Sequence, residues 1–268
     1  MYKSLVLILI SALLNSSGFL FGKLAAPART NNAVTELTQP QISPQYLSES
    51  IVFHGSSASA KLALTFDADM TPGMAAQMAN PNITWYNAKL VDVLHQTQTP
   101  ATLFLTGMWI ETHPDIAKTL SNDPLFELGN HSYSHPSFSR PCFGLKPISE
   151  NEKPAQITKT QVLLKSLTGK DNLYFRFPGG CYTKNDLALV KSFGLLPIQW
   201  NSEGPDSFNT DTNKIIANLK RYTHNGTIIV LHLDGEKNSP KTAEVVSAYI
   251  PWARSQGYEF VKLSDLLK

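Results

Sequence analysis

Lys61-Leu-Ala-Leu-Thr-Phe-Asp-Ala-Asp-Met70 marks the point where this 268-residue chain changes character. The apolar run 62–66 leads straight into two carboxylates, Asp67 and Asp69, and reads as a buried strand with polar groups at its exit. Upstream, residues 29–60 are rich in Thr, Asn, Gln, Ser and Pro with no sustained period, which predicts a linker. Downstream, short apolar runs at 101–105, 125–128, 173–177, 195–200, 227–233 and 258–261 read as six further strands. Helical patterns lie between most of them, at 86–95, 114–120, 155–167, 184–193, 213–222 and 242–254. Seven strands largely separated by helices predict a parallel α/β architecture in a single domain, 61–268.

Composition bounds the function. With 42% hydrophobic and 16% charged residues the chain is globular, not disordered. A net charge of +2 without any run of five basic residues gives no nucleic-acid footprint. At the start, Lys3 precedes an apolar stretch from Leu5 to Leu14, and a weaker patch, 18–24, leads to Ala26 and Ala28. Residues 1–28 therefore read as a cleaved signal peptide or, if retained, an N-terminal anchor. Either implies an exported protein: periplasmic, secreted, or membrane-anchored and facing outward. Of the two cysteines, Cys142 and Cys181, an export context permits pairing, with two buried free thiols as the alternative.

In a parallel barrel the working groups gather at the C-terminal ends of the strands. The polar residues at these exits are chemically useful ones. Asp67 and Asp69 follow the first strand, His131 and His135 the third, and Arg176 ends the fourth. Trp200 and Asp206 follow the fifth, and His232 closes the sixth. Two imidazoles four positions apart would face one side of a helical turn, and with a carboxylate and an open position they suit a hydrolytic Zn²⁺ site. Arg176 can hold a carboxylate, and an N–H of Gly179 or Gly180 could face an oxyanion. Asp206 could orient His232. Each fragment alone has an ordinary reading as well: a surface or capping His pair, an Asx-turn, a surface Arg, a core His. His54, His95, His113 and His224 lack such partners and read as structural or surface residues.

Taken in order, these segments resemble the polysaccharide deacetylase family, carbohydrate esterases sharing the NodB homology domain. The matching stretches are Thr65-Phe66-Asp67-Ala68-Asp69, His131-Ser132-Tyr133-Ser134-His135, Arg176-Phe177-Pro178-Gly179-Gly180, Trp200 with Asp206, and Val230-Leu231-His232. The resemblance implies a distorted (β/α) barrel of about seven parallel strands that removes acetyl groups from an envelope or extracellular polysaccharide. It makes Asp67 the general base, positioned by Arg176, and His232 the general acid, positioned by Asp206. His131 and His135 become ligands of a divalent metal, Zn²⁺ with Co²⁺ or Ni²⁺ as alternatives. Gly179, Gly180 and Trp200 fall on the substrate side.

The family's second aspartate, a metal ligand, falls on Ala68. Three arrangements follow: Asp69 substitutes, Asp67 itself ligates, or two histidines serve with extra waters. A second departure is the Gly179-Gly180-Cys181 run, where the family often has an aromatic residue; it opens the pocket or lets Cys181 pair with Cys142. Two other functions stay in view: hydrolysis of another acyl or C–N bond, and glycan binding without catalysis.

Overall fold

The structure, a computed structural model, describes residues 41–48 and 50–268. The expected signal or anchor, 1–28, and the first part of the expected linker lie outside them. The described residues belong to one compact unit.

Eight short strands build the sheet: β1 (Lys61–Ala68), β2 (Ala101–Leu105), β3 (Phe126–Asn130), β4 (Tyr174–Phe175), β5 (Leu196–Pro197), β6 (Ser202–Glu203), β7 (Ile228–His232) and β8 (Glu259–Phe260). All pair in parallel, in the order β5-β4-β3-β2-β1-β7-β6, with β8 pairing the start of β1. The sheet curls into a half-barrel, the distorted barrel expected. Helices cover it: α1 (Pro44–Ser48), α2 (Pro72–Gln77), α3 (Ala88–Gln96), α4 (Gly107–Thr112), α5 (Pro114–Asn122), α6 (Lys153–Thr168), α7 (Lys184–Ser192), α8 (Thr212–Tyr222), α9 (Thr242–Ser255) and α10 (Leu263–Leu266). Among the described residues no helix is long and apolar enough to cross a membrane.

The alternation of β1 decides what faces where. Leu62, Leu64, Phe66 and Ala68 join one buried cluster with Leu90 and Leu94 of α3 and Val245, Val246 and Tyr249 of α9. Burying each of the larger of these is worth about 1.5–3 kcal/mol, so a register slip of β1 is costly. Ala63 points the other way, into a cluster with Phe104, Tyr174 and Ile198. Successive side chains of a strand alternate in direction, so Thr65 and Asp67 share the Ala63 face.

The fold starts earlier than residue 61. Ile42, Tyr46 and Val52 are buried in the barrel cluster, so the later part of the expected linker is packed structure. Val52 pairs with Ile198, just past β5, and His54 with Thr227, just before β7, so a segment ahead of β1 bridges the two arms of the sheet. The strands expected over 173–177 and 195–200 shrink to two residues each. β4 gives way to a turn at Pro178, and β5 ends on Pro197, which has no N–H to extend a ladder.

Candidate active site and metal centre

Strand exits bring the singled-out residues together. Asp67 and His232 are direct neighbours across the β1–β7 pairing. Arg176 follows β4 and reaches beneath them. Its Nη1 donates to Asp67 Oδ1 at 2.8 Å and to Thr65 Oγ1 at 2.8 Å. The guanidinium is fully buried, stacked 4.0 Å from the Phe104 ring centroid and 5.5 Å from that of Trp200. Burial pulls the Arg176 pKa down and Asp67 opposes that pull. One oxygen of Asp67 is thus fixed, and the other, Oδ2, lies 3.6 Å from His131 Nε2.

His131 and His135 meet with ring centroids 5.0 Å apart. The expected helical turn is absent. Residues 131–135 form an irregular loop in which Ser132 and His135 take left-handed backbone angles, with φ of 68° and 56°. The Asn130 side chain and Gln156 hold that loop by accepting from the N–H groups of Ser132, Tyr133 and Ser134. His131 Nδ1 lies 3.0 Å from the carbonyl of Arg176 and donates to it, which leaves Nε2 as a free lone pair aimed inward. Burial pushes the His135 pKa down to about 4, so this imidazole is neutral at pH 7, as a metal ligand must be.

Asp69 completes the group. Its Oδ1 lies 3.3 Å from His131 Nε2 and 3.2 Å from His135 Nε2. Asp69 sits two residues after Asp67, so it shares the Asp67 face, whereas Ala68 points into the helix-side core. The extra residue between the aspartates therefore preserves the direction of the second one. Burial opposes the charge on Asp69, but His135, His131 and His232 together hold its pKa well below the usual carboxylate range.

This donor set fits a metal ion. Asp69 Oδ1 is buried without a hydrogen-bond partner, which is costly unless a cation satisfies it. The three ligand atoms lie within 4.8 Å of one another. A tetrahedral ion with bonds of about 2.1 Å separates its ligand atoms by about 3.4 Å, close to the spacing found.

His232 faces the same cavity from the other side. Its Nδ1 lies 2.8 Å from Asp206 Oδ1, and its backbone N–H donates to Asp206 Oδ2 at 2.9 Å. Thr242, at the start of α9, also donates to Asp206 Oδ2, at 2.6 Å. Burial disfavours the imidazolium, but Asp206 outweighs it, with Asp69 and Asp67 adding to the effect, and the pKa rises to about 10. His232 is therefore a loaded proton donor in the metal-free protein.

A cavity of about 290 Å³ opens above Asp67, Asp69, His131, His135 and His232. Trp200 and Gly179 line it; Gly180 is not among the lining residues. Gly180 is a turn residue: its N–H is taken by the carbonyl of Phe177, so it is no oxyanion donor. A Cβ there would lie 2.7 Å from the Trp200 ring, so the glycine makes room for the tryptophan. Cys142 and Cys181 form a disulfide. The other histidines stand apart from the cavity; His113 is buried against backbone carbonyls and His95 pairs with Asp123.

A polysaccharide deacetylase family model matches residues 54–198. The chain belongs to the polysaccharide deacetylase family. A peptidoglycan-N-acetylglucosamine deacetylase of Bacillus cereus is 28% identical over 220 residues, covering 81% of this chain and 71% of that protein. Among solved structures, a peptidoglycan N-acetylglucosamine deacetylase in complex with 4-naphthalen-1-yl-N-oxidanyl-benzamide superposes with a TM-score of 0.68 at 26% identity, covering 81% of this chain and 92% of that one. A carbohydrate esterase family 4 pseudoenzyme from Bacillus anthracis shares the fold, with a TM-score of 0.65 at 22% identity over 81% of this chain and 68% of that one. The matched region spans about two thirds of the length of the curated relatives.

Three supporting residues escaped the sequence reading. Thr65 braces Arg176, Thr242 braces Asp206, and Asp234 braces the turn that carries Asp69 by accepting from the Asp69 N–H at 2.8 Å. Asp234 is fully buried, and burial together with nearby Asp69 pushes its pKa well up. A readable signal existed for it, since Asp234 lies two residues beyond His232, directly after the apolar run 227–233.

Proposed function

We propose that the protein is a metal-dependent hydrolase that removes N-acetyl or O-acetyl groups from a cell-envelope or extracellular polysaccharide. The observation that carries this reading is the orphaned, buried Asp69 Oδ1 facing the Nε2 atoms of both His131 and His135. Asp69, His131 and His135 would hold a divalent ion, Zn²⁺ in the simplest case. A divalent ion held there would supply Lewis acidity to polarise the acyl carbonyl and lower the pKa of water.

The chain's own residues divide the proton work. Arg176 occupies Asp67 Oδ1, so Asp67 takes the proton of the attacking water at Oδ2. Asp206 occupies His232 Nδ1, so His232 delivers its proton from Nε2 to the leaving nitrogen or oxygen. The bond from the acyl carbon to that atom breaks as the bond to the water oxygen forms, yielding acetate and a free amine or hydroxyl. Trp200 and Gly179 form part of the wall against which the acylated sugar is held.

Acetate release from N-acetylglucosamine polymer and from peptidoglycan, with and without a chelator, tests the reading. Chelation, Asp67→Asn and His131→Ala should each abolish release while the far-ultraviolet circular dichroism stays native. Undiminished turnover in both variants would sink the mechanism. A second reading, motivated by the departure from paired aspartates at Ala68, is glycan binding without catalysis; polymer binding without any acetate release in the same assay would support it.

A further inference from the structure

Two phenylalanines stand out from the rest of the surface. Phe143 and Phe208 are 73% and 74% exposed, more than any other large apolar side chain among the described residues. They come from different loops, after β3 and after β6, yet their rings touch, with centroids 5.7 Å apart and planes tilted by 37°. Both line the cavity that holds Asp69, His131 and His135. Exposed apolar surface gathered at one end of a reactive cavity points to a ligand.

Phe143 is fixed in place by covalent and steric means. Its neighbour Cys142 is tied by the disulfide to Cys181 in the loop after β4. Gly179, at φ 60°, lets the two loops close up: a Cβ there would lie 2.8 Å from Cys142 Sγ, 3.2 Å from Leu145 Cδ1 and 3.4 Å from Phe143 Cδ2. The space beside the third motif is thus filled by a tethered loop that presents a phenyl ring. The aromatic surface is bordered by polar groups in the same cavity, Glu203, Ser207 and Asn238. An apolar face with polar edges matches a pyranose ring, whose C–H groups lie on its faces and whose hydroxyls lie around its rim.

We propose that Phe143 and Phe208 together form a stacking platform for the sugar ring next to the one being deacylated, and that the Cys142–Cys181 disulfide positions Phe143 in it. The inference rests on the deacetylase reading for its substrate class. It makes the protein selective for glycan chains over the single sugar, because a monosaccharide leaves the platform unused.

The test compares the β-1,4-linked pentamer of N-acetylglucosamine with the monomer, together with peptidoglycan digests. It measures both acetate release and direct binding by calorimetry. Phe143→Ala and Phe208→Ala should each lower the pentamer-to-monomer ratio of kcat/KM by about fivefold, through KM and not kcat. Phe143→Trp should retain the ratio. The double variant Cys142→Ala with Cys181→Ala should lower it as Phe143→Ala does. Wild-type release with the same ratio in both alanine variants overturns the platform and leaves the hydrolase standing. Binding of the pentamer that weakens in the alanine variants, without acetate release by the wild type, supports the platform and overturns the hydrolase. No binding of pentamer or digest overturns both.

Discussion

Ala68→Asp gives three consecutive aspartates, 67–69, and it should harm the protein. Ala68 is fully buried among Leu64, Phe66 and Met70, on the helix side of β1. Its carbonyl accepts from the backbone N–H and the hydroxyl of Thr106, at 3.2 and 2.9 Å, so the strand is held against rotation. A new carboxyl would therefore enter the core, and the cheapest response is to stay protonated. Holding it neutral at pH 7 against an ordinary pKa of about 3.9 costs about 4 kcal/mol. Fitting the extra atoms into a packed core adds about 1–3 kcal/mol. The sum, about 5–7 kcal/mol, is comparable with the whole stability of many domains. Urea unfolding followed by circular dichroism should show this loss at pH 7. The folded-state pKa lies above the unfolded one, so the deficit should shrink as the pH falls toward about 4. Zn²⁺ titration should show no tighter binding. A variant with wild-type stability and stronger Zn²⁺ affinity would refute the assignment of Ala68 to the core and of Asp69 to the site.

Asp206→Asn should lower the His232 pKa by at least about two units from its raised value of about 10 in the metal-free protein, read by NMR titration. The stabilisation that His232 gives the wild type is complete below about pH 6.5 and is lost as pH rises through about 10; in the variant that dependence should shrink. His135 works in the opposite sense. With a folded pKa of about 4 against about 6.5 unfolded, it should cost the metal-free protein about 3 kcal/mol as pH falls across that window. Zn²⁺ should raise the wild-type melting temperature, and His135→Gln should flatten this limb of the stability profile and abolish that rise. Replacing Cys142 and Cys181 together by Ser opens a loop closed across 39 residues and should lower stability by about 4 kcal/mol in urea unfolding. An unchanged midpoint would mean that the denatured chain gains little from losing the link.

The sheet and its exits were legible because apolar runs and terminal polar groups are local features of the chain. β2 matches its expected run, and β7 lies within its own. β6 went unseen because a two-residue strand has no period to read. The His131–His135 pairing was expected for the right residues by the wrong geometry. A helical turn would have sufficed, but hydrogen bonds from distant α6 to the loop impose left-handed angles instead. Asp69 could not be assigned from the chain alone, because its direction depends on whether the extended run persists past residue 67. The Cys142–Cys181 link and the contact between Phe143 and Phe208 join loops that only the curled sheet brings together.

The bridge made by Val52 and His54 has a consequence for how the molecule assembles. Each pairs with a residue more than 140 positions further along the chain. The segment synthesised first among the barrel's parts thus finds its partners only after β5 and the approach to β7 exist. Such long-range closure is entropically slow, and it leaves the Val52 edge open to other strands in the meantime. A chain shortened to begin at residue 61 would lack that seam, and its weakness should surface as aggregation during refolding before it surfaces as lost activity.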